Sequence, residues 1–240
     1  MLDLNSALQN LSRSELESIA AEPYEHRGIL HSEMALIIHT CRRLGVRVLI
    51  ESGRARAQST YMLAKYLPST LILSVEGRPH HSDSLAGAAR VQQFGNVTLH
   101  SGDGNLVVPL LIDGWAQRAR MAVLLDGPKG LAALELLDKC FRRSAQVLVG
   151  FIHDMRRLDH GARSSFRVAA EAIYANAVFS DGEAYAPFAW MDNQILAAGG
   201  PVGPAHELQY GSYGPTIGMF LNPAALATTP KQIATIELGV

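Results

Sequence analysis

Short apolar runs alternating with helix-length segments constrain this 240-residue chain more than any other feature. The runs are VRVLIE (Val46 to Glu51), LILSVE (Leu71 to Glu76), VTLHS (Val97 to Ser101), MAVLLD (Met121 to Asp126) and QVLVGFIHD (Gln146 to Asp154). Most are too apolar to be strands with one wet face. Near-continuous hydrophobicity is what a parallel strand needs when helices cover both faces of its sheet, and right-handed crossovers wind those helices around it. The spacing therefore predicts an α/β fold, doubly wound on a mostly parallel sheet.

Helices are expected between the runs, at about Gln58 to Tyr66, Ser82 to Phe94, Asn105 to Arg118 and Leu131 to Arg143, with another near Ser164 to Tyr174. AVFSD (from Ala177) and TIGMFLN (Thr216 to Asn222) supply a sixth and a seventh strand. Two N-terminal helices come first: Ser12 to Ala21, opened by the capping spacing of Ser12 and Glu15, and Ser32 to Leu44, stopped by Gly45. In the second, Met34, Ile37, Ile38 and Cys41 make one apolar face, expected to pack on the edge or end of the sheet. The organisation expected is a helical segment at 1–45 on a core domain at 46–222, followed by a weakly ordered tail at 223–240. GGPVGP and YGSYGP punctuate a long stretch that reads as a lid, a binding loop or an oligomer contact.

Composition narrows the function classes. With 21 basic and 22 acidic residues the net charge is −1, so no global field draws in nucleic acid or an anionic membrane. Cys41 and Cys140 are the only cysteines and lack a CxxC spacing, which suits a reducing compartment. No stretch approaches the roughly 18 apolar residues of a membrane span, and the N-terminus lacks a signal-peptide pattern. A cytoplasmic location is expected, with a homodimer as the commonest assembly.

In an open parallel sheet, ligands bind beyond the carboxyl ends of the strands. Those ends are acidic here: Glu51, Glu76, Asp103, Asp126 and Asp154. The bland reading is that acids simply favour the starts of the following helices. Against it stand the neighbours. After Glu51 comes SGRARAQST, in which Gly53 permits a tight turn and Ser59 can cap a helix or donate a hydrogen bond. The dinucleotide fingerprint GxGxxG and the phosphate-loop GxxxxGK[ST] are both absent. Glu76, about 23 residues past Gly53, is where a carboxylate accepts ribose hydroxyls. A nucleoside without a pyrophosphate fits best.

Taken in order, these segments resemble the motifs of the class I S-adenosylmethionine-dependent methyltransferases, in particular the small-molecule O-methyltransferase-like branch. ESGRARAQS resembles ExGxxxGxS, SVEGRP the ribose-binding second-strand motif, and SGDGNLVVP the GDA-type third motif. LLDGPKG and GFIHD resemble the fourth motif and the fifth-strand ending. The resemblance covers Val46 to Asp154 and implies a seven-stranded Rossmann-like methyltransferase fold that binds S-adenosylmethionine. The implied cofactor contacts are Glu51, Ser52, Gly53, Ser59, Glu76, Gly77, Gly102, Asp103 and Asp126.

The resemblance also implies methyl transfer to a hydroxyl of a small molecule: a sugar, polyketide or phenolic. His153 is the candidate base, because a histidine can titrate near working pH. Lys129 can orient the acceptor oxygen or serve as base if desolvated, with Asp154 beside it. Asp126 and Asp154 have the chemistry to share a Mg2+, with Asp181, Asp192 and Asn193 as candidate further ligands. Trp190, Tyr210 and Tyr213 are candidate walls of an acceptor pocket.

The chain departs from the family pattern in having Ala57 where glycine is expected, which narrows the space at the cofactor's methionine end. Arg54 and Arg56 add charge to the same loop. These departures set the alternative, a non-catalytic or repurposed member of the fold that binds another nucleoside-type or anionic ligand, the anionic one if either arginine points inward. A hydrolase is disfavoured because GxSxG is missing.

Overall fold

The computed structural model describes residues 12–25, 28–155, 162–180, 183–192, 195 and 217–228. Helices α1 (Arg13–Ala20) and α2 (His31–Arg43) precede β1 (Val48–Ser52), α3 (Gln58–Tyr66), β2 (Leu71–Glu76), α4 (Ser82–Val91) and β3 (Val97–Ser101). Then follow α5 (Gly104–Trp115), β4 (Met121–Leu125), α6 (Leu131–Arg143), β5 (Val147–Ile152), α7 (Ala162–Ile173) and β6 (Val178–Phe179). A 3-10 segment (Glu183–Asp192), β7 (Gly218–Leu221) and α8 (Pro223–Thr228) complete the described chain. None of the described helices is long and apolar enough to cross a membrane.

The seven strands form one sheet in the order β3-β2-β1-β4-β5-β7-β6. Pairings from β3 to β5 are parallel, while β7 runs antiparallel between β5 and β6. The seventh strand thus inserts beside the fifth rather than adding at the edge, an order that local sequence pattern does not encode.

Alternation along the strands divides the core in two, because successive side chains of a strand face opposite ways. Leu49, Ala122, Leu124, Val149 and Phe151 pack under α1, α2 and α3. Val48, Ile50, Val123 and Leu125 pack on the other face against Val108 and Ile112 of α5 and Leu134, Leu136 and Leu137 of α6. This is the doubly wound arrangement the apolar runs require.

One expectation is corrected. Helix α2 lies across a face of the sheet rather than at its edge, and Met34 to Ile38 are all fully buried. It is enclosed rather than one-sided because α1, α3 and the 3-10 segment also pack on it. Beyond Asn222, α8 occupies the start of the stretch expected as a tail, whose residues 229–240 lie outside those described. Asn222 anchors its start, accepting from Ala224 N at 3.0 Å and donating through Nδ2 to Val147 O at 2.8 Å.

Candidate functional site

A cleft of about 490 Å3 opens beyond the carboxyl ends of β1 to β4, where the strand order reverses between β1 and β4. Ser52 at the end of β1 with Gly53 and Ala55 after it, Glu76 at the end of β2 with Gly77 and Arg78 after it, Asp103 and Gly104 at the start of α5, and Asp126 to Pro128 after β4 line it.

The floor is glycine for steric reasons. Gly53 has φ +96°, and a Cβ there would lie 2.9 Å from Gly127 N. At Gly104 a Cβ would stand 2.2 Å from Ser52 Oγ, whose hydroxyl donates to Gly127 O. Gly102 turns the chain behind the lining at φ +141°, where a Cβ would meet Val107 Cγ2 at 2.8 Å.

Glu76 is held by backbone donors: Ala55 N gives to Oε2 at 2.8 Å and Arg78 N to Oε1 at 2.9 Å. Each oxygen keeps a second lone pair for a ligand hydroxyl. Asp103 caps α5 through Oδ1, which accepts from Asn105 N at 2.8 Å and Asn105 Nδ2 at 3.1 Å. No bond to Oδ2 is formed among the described residues. The one helix start in the lining is therefore already faced by a carboxylate, which opposes a phosphate there. Glu76 and Asp103 stand against Arg78 in the lining, while Asp126 is paired with His153 and Lys129, so the carboxylates leave at most a small excess of negative charge.

Glu51 and Ser59, expected at the cofactor, lie beneath this cleft and do not line it. β1 runs one residue further than expected, so Glu51 sits inside the strand and its side chain turns to the α3 face. It is fully buried and accepts from Ser59 Oγ at 2.5 Å, Thr60 Oγ1 at 2.5 Å and Ser74 Oγ at 2.7 Å. Burial pushes its carboxyl above the usual range, and the hydroxyl donors oppose that rise.

The departures in the loop also resolve away from the cleft. Ala57 caps α3 in the left-handed region at φ 60°, ψ 36°, which explains why glycine suits this position. Its methyl is directed at α4, 3.1 Å from where a Cβ on Gly87 would stand, so it does not narrow the cleft. Arg54 is buried and donates to Ser74 O at 3.2 Å. Arg56 is exposed and pairs with Glu25 at 2.6 Å and Asp83 at 3.0 Å. Neither arginine lines the cleft, so the condition for an anionic ligand is not met.

At the cleft's β4–β5 side stands a charged cluster. His153 Nδ1 is 2.7 Å from Asp126 Oδ1 and 3.7 Å from Asp154 Oδ1. Its Nε2 faces Glu33 Oε2 of α2 at 3.6 Å, beyond hydrogen-bond reach. Burial opposes the charged imidazole, but Asp126, Glu33 and Asp154 outweigh it and push the pKa up to about 10. That shift favours the imidazolium over the free base. Lys129 Nζ donates to Asp126 Oδ1 and to Asp154 Oδ2, the latter at 2.6 Å. Burial works against its charge, yet the two carboxylates hold its pKa above the usual lysine value. Asp126 is kept below its ordinary range: burial pushes it up, and His153 and Lys129 prevail.

Asp126, His153 and Asp154 bring potential ligand atoms within 4.8 Å of one another. They do not fit a divalent ion as they stand. A histidine ligand must offer a neutral nitrogen, whereas Nδ1 is committed to Asp126, and the Lys129 ammonium already bridges the two carboxylates. Asp192, a candidate further ligand, is buried elsewhere, accepting from Ser32 N at 3.1 Å and Ser32 Oγ at 2.6 Å. Asp181 and Asn193 lie outside the described residues, as do Tyr210 and Tyr213. Trp190 stacks under Arg13, 3.8 Å from its ring centroid, and packs on the core.

The sequence reading missed Glu33, Thr60 and Ser74. Glu33 is 1% exposed and also accepts from Ser180 Oγ at 2.8 Å and Leu30 N at 3.2 Å. A carboxylate among the apolar residues of α2 was the signal available.

No family model matches the chain, and no curated protein matches it in sequence. Solved structures do match in fold. An O-methyltransferase from Bacillus cereus in complex with SAH has a TM-score of 0.55 at 13% identity, over 90% of this chain and 94% of that one. The cofactor-bound protein Rv0187 from MTB has a TM-score of 0.52 at 12% identity, over 92% and 89%. A Staphylococcus aureus protein described as a caffeoyl-CoA O-methyltransferase has a TM-score of 0.50 at 12% identity, over 88% and 93%. At such identities the shared property is the fold, the Rossmann-like sheet expected from the motifs.

Proposed function

We propose that this chain is an S-adenosylmethionine-dependent methyltransferase acting on a hydroxyl of a small molecule. The observation that carries the proposal is the meeting of Glu76 and Asp103 around the Gly53 turn in one acidic cleft. The fold shared with an O-methyltransferase in complex with SAH supports it.

In this reading Glu76 accepts the ribose hydroxyls, Asp103 Oδ2 accepts from the adenine amine, and the backbone at Ser52, Gly53 and Gly77 contacts the remainder. Bound there, S-adenosylmethionine supplies an electrophilic methyl group on a sulfonium. Asp126, fixed by His153, places Lys129 at the mouth, where its ammonium can donate to the acceptor oxygen. The acceptor hydroxyl would give up its proton to water at this place, and the bound cofactor would supply the methyl group that it takes. Since His153 and Lys129 are both cationic, the arrangement favours a hydroxyl acidic enough to ionise in water, as a phenolic one is.

Leu106 and Leu110, largely exposed and one turn apart on α5, support a homodimer, and the reading takes the cytoplasm as its site of action. Calorimetric titration with S-adenosylhomocysteine tests the central claim: saturable one-site binding is expected. Absence of heat at millimolar ligand, together with no rise in melting temperature, would reject it.

A further inference from the structure

The charged cluster between β4 and β5 holds a cation that belongs to the chain. Asp126 Oδ1 accepts from both Lys129 Nζ and His153 Nδ1, and Asp154 Oδ2 accepts from Lys129 Nζ at 2.6 Å. Asp154 reaches this position from a left-handed backbone, φ 64°, which a non-glycine residue adopts only at some cost. The conformation brings the carboxylate onto the lysine. Asp126 and Asp154 are about a quarter exposed, and Lys129 is 41% exposed, so the ammonium stands at the opening rather than in the core.

We propose that Lys129 is the resident cation of this site, bridging Asp126 and Asp154 where a divalent metal would otherwise bind, and that the site works without such a metal. The inference deepens the methyltransferase reading and rests on it for the role of the site, but the cation geometry stands by itself. Hard divalent ions need several oxygen ligands. Here the oxygens that face one another are already shared with an ammonium, and the imidazole that completes the cluster is turned to Asp126 and Glu33. A metal ion entering would have to displace the lysine against the attraction of both carboxylates. The lysine offers an acceptor oxygen the same service as a metal, namely a positive charge beside the atom that becomes anionic.

The test uses Mn2+ as the probe and electron paramagnetic resonance as the readout, on the full chain without cofactor or acceptor. The wild-type protein should leave the free Mn2+ signal unchanged at about 1 mM, the weak end of carboxylate-site affinities. Lys129→Met keeps the side-chain length and removes the charge, and Lys129→Gln keeps a polar end. Whichever folds, by an unchanged circular dichroism melt, should gain at least about tenfold in Mn2+ affinity, and a further Asp154→Asn change should remove the gain. Wild-type binding of Mn2+ that Asp154→Asn abolishes would overturn the proposal. So would folded lysine variants that bind no better than wild type. Neither result bears on cofactor binding, and failure of the calorimetric titration would leave the metal result standing.

Discussion

His153 Nδ1 lies 2.7 Å from Asp126 Oδ1, and this half-buried contact joins the ends of β4 and β5. The pair carries a pH signature whose sign follows from the raised histidine pKa. An unfolded histidine titrates near 6.5, whereas His153 is pushed up to about 10 by Asp126 and its acidic neighbours against the penalty of burial. The contribution to stability is therefore complete below about pH 6.5 and is lost as pH rises through about 10. Urea melts between pH 6 and 10 should show a steady fall. His153→Gln should be less stable by about 2 kcal/mol at pH 7, because Asp126 loses the charged hydrogen bond from the imidazole and keeps only the one from Lys129, and its curve should be flatter. A wild-type stability that rises over this range would contradict the assignment.

Glu76 should be the most sensitive position for ligand. Its two oxygens are set by Ala55 N and Arg78 N, so Glu76→Ala removes both the acceptor and the order of the turn. Binding of S-adenosylhomocysteine should weaken by about 100-fold or more, in keeping with about 1.5–3 kcal/mol for each charged hydrogen bond. Asp103→Asn, which keeps an acceptor oxygen, should cost less than about tenfold. Calorimetry on both variants checks the order; equal affinities for Glu76→Ala and wild type would remove Glu76 from the site.

Glu51 should behave differently. Glu51→Ala leaves the hydroxyls of Ser59, Thr60 and Ser74 without their shared acceptor in a fully buried place, at a cost of about 3 kcal/mol in a thermal melt. Glu51→Gln retains a carbonyl acceptor and removes a carboxyl whose charge burial already disfavours, so its loss should stay near about 1 kcal/mol. Cofactor affinity in Glu51→Gln should change by less than about threefold, a shift of under 1 kcal/mol. A large affinity loss at preserved stability would mean that Glu51 does reach the ligand.

Gly104 and Ser52 should be coupled. A methyl at Gly104 would stand 2.2 Å from Ser52 Oγ, so Gly104→Ala should destabilise by about 2 kcal/mol through overpacking. Adding Ser52→Ala removes the obstructing oxygen and should recover about half of that loss, read as a non-additive double-mutant cycle in denaturant melts. Strict additivity would show that the two residues do not touch.

Much of this was legible in the sequence, and the limits have physical causes. Strand ends could be read because parallel strands buried on both faces leave uninterrupted apolar runs, and Leu71–Glu76 and Val97–Ser101 fell where expected. Glu76 and Asp103 followed from those ends. Glu51 did not, because β1 extends through Ser52 and the two-residue period then turns Glu51 to α3. The residue types at Lys129, His153 and Asp154 were visible, but their protonation was not. The raised pKa of His153 draws on Asp126 and also on Glu33, which is distant in sequence and arrives only through the packing of α2. The place of β7 was hidden too, since nothing in a four-residue apolar strand states which neighbour it will choose.

The knot of hydroxyls around Glu51 has an outcome for recognition. It ties α3 to β1 and β2 from below, while the backbone amides above fasten Glu76 in its working orientation. A socket set in this way loses little freedom when a guest arrives, so association draws little on ordering entropy. Even small fragments, adenosine alone among them, should find the mould ready.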